Sequence, residues 1–200
     1  MSKKKVILLA ATALFSEKGY DGASIAELSK MTGAAGGTIF HHFKNKEDLF
    51  LNILGGIKAA ILGSFDQFQK TGNFTNGLEF VEGAVSLYLK LTGQMHDQFL
   101  LLHRHFPYKM AETNPVCREH LVSIYDCLLD IFEQGILIGK KDGSIGDVPA
   151  RNSAMLLFSM ADGIARYNTY HLYDAGALYS DLIKSCRKLL TDGSEAPLTP

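Results

Sequence analysis

Apolar residues recur along this chain at spacings of three and four, not two. Ile7, Ala10, Ala11, Leu14 and Phe15 fall at i, i+3, i+4, i+7 and i+8, one face of a helix. This predicts a first helix over residues 6–18, stopped by Gly19. Ser24-Ile25-Ala26-Glu27 has the form of a capping box, in which Ser24 accepts from the helix start and Glu27 reaches back. It opens a second helix with Ile25, Leu28 and Met31 on its apolar side and Gly33 as breaker. Residues 37–43 form a short third helix. Asn45 caps a fourth that runs to about residue 69, with Glu47 and Asp48 where the helix dipole favours acids. Further helices are expected over 78–91, over 97–106 with a stop at Pro107, and from Asn114-Pro115 to about 138. After a turn region at 139–146, Val148-Pro149 leads into a helix to about 170, and 175–190 is the last. No stretch alternates with period two. About nine helices in 200 residues mean an all-α protein. The expected division is a trihelical head at 1–45, a helical body at 46–192 and a frayed tail at 193–200.

The N-terminus has a competing reading. Met-Ser-Lys-Lys-Lys followed by an apolar run with small Ala11 and Ala13 has the layout of a secretory signal. The helical pattern continues unbroken into a polar last turn at 16–19, which favours the helix. No apolar run approaches the ~20 residues that span a bilayer, so no membrane partner is expected. Composition fits a soluble globular protein, with 46% hydrophobic residues and a net charge of −1. That charge is unevenly spread: residues 1–50 hold seven Lys against five acids. A mildly basic head on an acidic body is compatible with nucleic-acid binding by the head. Cys117, Cys127 and Cys186 form no CxxC pair and read as buried reduced thiols, as expected in a cytoplasm.

Two short helices across a glycine turn, with a supporting helix before them, describe a helix-turn-helix. Ile39 and Phe43 share a face that should pack on Leu14, Phe15 and Leu28. At 100° per residue Gly37, Thr38, Phe40 and His41 point largely the other way, short and partly polar, as a major groove requires. From Ala10 to Phe50 the chain resembles the N-terminal DNA-binding region of the tetracycline-repressor (TetR) family. The matching positions are Leu14-Phe15, Gly19-Tyr20, Ser24, Ile25, Leu28, Gly33, Gly37-Thr38-Ile39, His41, Phe43 and Lys46. The resemblance implies a homodimeric one-component regulator, most simply a repressor. Its third helix would read double-stranded DNA, and the start of its fourth would meet phosphate near Lys46. A small apolar effector would bind in the body and release a palindromic operator. The DNA-binding set is then Ser24, Gly36, Gly37, Thr38, Phe40, His41, Lys44 and Lys46. Relatives commonly carry Ser-Lys-Gly-Thr-Leu-Tyr where this chain has Ala35-Gly36-Gly37-Thr38-Ile39-Phe40. The chain lacks the capping hydroxyl, the cation and the phenol found there. A helical sensor or carrier of apolar molecules with weak or lost DNA binding is the rival reading.

The body is rich in aromatics at helical spacings. Candidate pocket residues are Phe65, Phe99, His103, Tyr125, Phe158 and Asn168. No histidine spacing matches a metal site, and no nucleophile motif, P-loop or dinucleotide fingerprint is present. Neither cofactor nor enzyme activity is therefore expected. Glu82, Asp97 and Asp162 read as isolated carboxylates on exposed faces. The last two helices carry apolar stripes, and the family pairs such helices in a four-helix dimer bundle. Phe158, Ala161, Ala165, Leu182, Cys186 and Leu189 are the candidate interface.

Overall fold

The computed structural model describes residues 2–191, and the tail expected at 193–200 lies outside them. Ten α-helices and one short 3-10 turn make up the fold, with no strand among the described residues. The helices are α1 (Lys3–Gly22), α2 (Ile25–Thr32), α3 (Gly36–His42), α4 (Lys46–Thr71), α5 (Gly77–Gln94), α6 (His96–Leu102), α7 (His105–Ala111), α8 (Pro115–Asp142), α9 (Ala150–Thr169) and α10 (Tyr179–Thr191). Among the described residues they gather into two compact units, residues 2–61 with 95–124, and residues 62–94 with 125–191. The unit holding the head is thus larger than residues 1–45.

In the first unit, α1 starts at Ser2, whose hydroxyl accepts from Lys5 N. It does not end at Gly19. That residue takes φ 75° and ψ 169°, conformations open to glycine, and helix resumes beyond it. The open carbonyls before this break have a partner: Arg104 donates through Nε to Ser16 O at 2.9 Å and through Nη2 to Glu17 O at 2.9 Å. Below the break, Tyr20 stacks on Phe106 at 3.8 Å between ring centroids, and Phe50 meets Phe106 edge-on. The partners of Arg104 lie 87 and 88 residues away along the chain.

The single helix expected over 97–106 is two, α6 and α7, with Arg104 extended between them. Pro107 does not stop a helix; it sits in the first turn of α7, where its missing N–H is not needed. Asn114 caps α8 as expected, accepting from Cys117 N at 3.0 Å.

In the second unit α5, α9 and α10 pack together. Phe68, Phe74 and Phe80 cluster beside them, with centroids about 5 Å apart. The start of α5 is held by α8 and the turn after it: Gly77 N donates to Asp142 Oδ2 at 2.8 Å and Leu78 N to Ser144 Oγ at 3.2 Å. Two of the three supposedly isolated carboxylates are engaged. Asp162 accepts from Tyr88 OH at 2.6 Å and from Arg166 Nε at 2.9 Å, and Glu82 takes both arms of Arg187. Tyr88 is buried, which drives its phenol well above the ordinary tyrosine value.

One helix departs from the membrane expectation. By length and composition α4 is long and apolar enough to cross a membrane. Its Leu49, Phe50, Ile53, Leu54, Ile57, Ile61 and Phe65 are buried within the protein, so these apolar residues belong to core faces.

Candidate nucleic-acid interface

The turn between α2 and α3 is built from local chemistry. Ser24 caps α2, accepting from Glu27 N at 3.1 Å. Glu27 completes the capping box by reaching back to the Ser24 backbone N–H, and its carboxylate also takes Lys18 Nζ. That bond holds the Glu27 carboxyl below its ordinary value and the Lys18 ammonium above it. Thr32 closes α2 by donating to Leu28 O, and Gly33 leaves it at φ 65°. Ser29 Oγ donates to Ala34 O at 2.6 Å and ties the turn back to α2.

α3 then begins at Ala35 with no side-chain cap, and Thr38 N and Ile39 N both turn to Ala35 O. Ile39 and Phe43 are each 1% exposed and anchor the helix with buried Leu14, Phe15 and Leu28. Their burial turns the opposite face outward: Gly37, Phe40 and His41 are exposed, and Gly36 and Thr38 half-buried. Met31, expected on the apolar side of α2, is 52% exposed and extends this outer surface instead. Its position lies one turn beyond Leu28, past the reach of the head's small core. Replacing Ala35 by Ser should stabilise α3 by about 1 kcal/mol through the restored cap, seen as a higher urea midpoint. An unchanged midpoint would mean the bare start costs nothing.

Behind α3, Asn45 and Asp48 cap α4 reciprocally: Asp48 N donates to Asn45 Oδ1 at 2.7 Å and Lys44 N to Asp48 Oδ2 at 2.8 Å. The Lys44 side chain is exposed. Lys46 is placed differently from Lys44. Its ammonium lies 4.5 Å over the Tyr20 ring and 5.9 Å over that of Phe15. Burial there lowers its pKa, against a weaker upward pull from Asp21. It must leave the ring to meet a phosphate. Ser24 is exposed but its hydroxyl is spent on the cap.

The candidate pocket residues are placed in different units. Phe99 and His103 are buried in the first, their rings 6.0 Å apart. In the second, Tyr125 meets Phe158 edge-on at 5.8 Å, Asn168 lines a cavity of about 350 Å³ with Ser86, Ile164 and Tyr179, and Phe65 lines another of about 350 Å³. Of the candidate dimer residues, Phe158, Ala161, Ala165, Leu182 and Cys186 are buried within the chain itself, and Leu189 is half-buried. They lie where α9, α10 and α5 pack together. The open stripe of α9 is Leu156, Met160, Gly163 and Tyr167, at i, i+4, i+7 and i+11; Leu156 is 54% and Tyr167 41% exposed. Among the described residues no three His, Cys, Asp or Glu side chains gather to hold a metal.

A trihelical head with a capped turn, a core-anchored third helix and a free outer face defines a helix-turn-helix regulator. Residues 7–53 match the model of the bacterial regulatory proteins of the tetR family. Over 129 residues it is 26% identical to the biofilm operon negative regulator IcaR of Staphylococcus epidermidis, covering 62% of this chain and 69% of that one. To the transcriptional repressor AcnR of Corynebacterium glutamicum it is 46% identical over 50 residues, 25% of this chain and 27% of the other. The transcriptional regulator FadR of Bacillus subtilis, solved with stearoyl-CoA, superposes with a TM-score of 0.72 at 21% identity over 93% of this chain and 97% of that one, a likeness of fold.

Proposed function

We propose that the protein is a homodimeric cytoplasmic repressor that binds a roughly palindromic operator and leaves it when a small apolar molecule enters the body. The outward face of α3 carries this reading. His41 is exposed and Thr38 half-buried on a helix anchored by Ile39 and Phe43, and Lys44 is exposed just after it for phosphate. Repression follows the printed roles of IcaR and AcnR, and an apolar effector follows the acyl-CoA in the FadR complex. The second unit offers cavities of suitable size near Phe65 and Asn168. The α9 stripe around Gly163, where an added Cβ would meet nothing, suits close approach of a second copy.

Binding to the chain's own upstream DNA, measured against random duplex across a salt series, tests this. A regulator binds its own sequence far more tightly and weakens as salt rises. Equal affinity for both duplexes would leave the rival, a sensor or carrier of apolar molecules with weak DNA binding. That rival is favoured by one observation, the uncapped and cation-free start of α3. Thr38→Ala and His41→Ala should each weaken operator binding about tenfold, the cost of a lost groove contact, with little change in melting temperature. A large fall in melting temperature would instead place these side chains in the core.

A further inference from the structure

The chemistry left on the reading face narrows which bases it can recognise. Residues 31–43 contain no Arg, Lys, Asn, Gln, Asp or Glu. The face therefore lacks the fork that grips guanine, the amide that pairs with adenine and the carboxylate that accepts from cytosine. His41 is the main polar group on it, and an imidazole N–H donates to N7, which adenine and guanine share. What remains is apolar. Phe40 is 50% exposed, and Thr38, half-buried on a different side of the helix, carries a methyl of its own. Among the described residues the Phe40 ring stacks on no other ring. The first turn of α3 is bare: beside Gly37, which is exposed, an added Cβ would meet nothing within 4 Å, so the backbone there can approach the base edges.

On the major-groove edge of B-DNA the one apolar group is the C5 methyl of thymine. We infer that each half-site is specified by thymine methyl groups packed against Phe40 and Thr38, with His41 fixing a neighbouring purine without naming it. This rests on the proposed reading of the head as a DNA-binding surface. The operator core is then A·T-directed, and its discrimination comes from burial of methyls, not from hydrogen bonds.

The test uses the full-length protein. Binding sites are first selected from a pool of random duplexes at fixed low salt. Each dT of the recovered half-site is then replaced by dU, which removes the methyl and leaves pairing intact. Loss of one buried methyl should weaken binding about fourfold, and about fifteenfold when both half-sites are changed. Phe40→Ala should lose the preference at one or more dT positions of the half-site, whereas Phe40→Tyr keeps it at all of them. Recovery of a site at which every dT to dU change is neutral would overturn the inference and leave the regulator standing. Recovery of no site above random would remove the DNA-binding reading and the inference with it. The wild-type dU scan decides even if Phe40→Ala does not fold.

Discussion

Gly77→Ala should destabilise the protein by about 3 kcal/mol or more, seen as a large drop in urea midpoint. A Cβ on Gly77 would stand 2.0 Å from Gly139 N, 2.4 Å from Gly139 Cα and 2.6 Å from Gly135 O. All three are backbone atoms of α8, so no rotamer change relieves the clash. The start of α5 must move, and it is held by the bonds from Gly77 N to Asp142 and from Leu78 N to Ser144. Overpacking alone costs about 1–3 kcal/mol, and each lost backbone bond about 1 more. Gly56 is the internal control. It lies mid-helix in α4, exposed, with nothing within 4 Å of an added Cβ. Gly56→Ala should therefore gain up to about 1 kcal/mol from helix propensity. If both variants matched the wild type, the close approach of α5 to α8 would be wrong.

Gly36→Lys should give the largest gain in DNA affinity of any single change in the head. The position has open space around it and no left-handed φ, so a side chain fits. Replacing glycine within the helix contributes about 1 kcal/mol to α3. A new cation beside the groove adds a phosphate contact in each subunit. The slope of log K against log salt should therefore steepen by about 0.9 for each contact, about 1.8 for a dimer. Affinity at low salt should rise tenfold or more, for the specific operator and for random duplex alike, because phosphate carries no sequence. A rise confined to the operator would mean that residue 36 meets a base edge.

Much of the head could be read along the chain because its determinants are local. Ser24, Gly33, Asn45 and Asn114 act on backbone within a few residues, and each caps or breaks where its position implied. The pairing of Ile39 with Phe43 and the outward turn of Phe40 and His41 follow from helical periodicity. The absence of a cap at Ala35 was legible for the same reason. Lys46 shows where local reasoning ends. For this residue the family resemblance implied phosphate, but its ammonium lies over Tyr20, which itself stacks on Phe106.

By itself the sequence determined most of the helices, the caps at Ser24, Asn45 and Asn114, the turn before α3 and the burial of Ile39 and Phe43, since hydrogen bonds and periodicity act within one or two turns. Only the tertiary structure decided what Arg104, Lys46, Glu82 and Asp162 hold, why Gly77 must be glycine, and which face of α9 stays open. Those depend on partners tens of residues away, and the spacing of residues along a chain carries no record of which distant helix will lie against them.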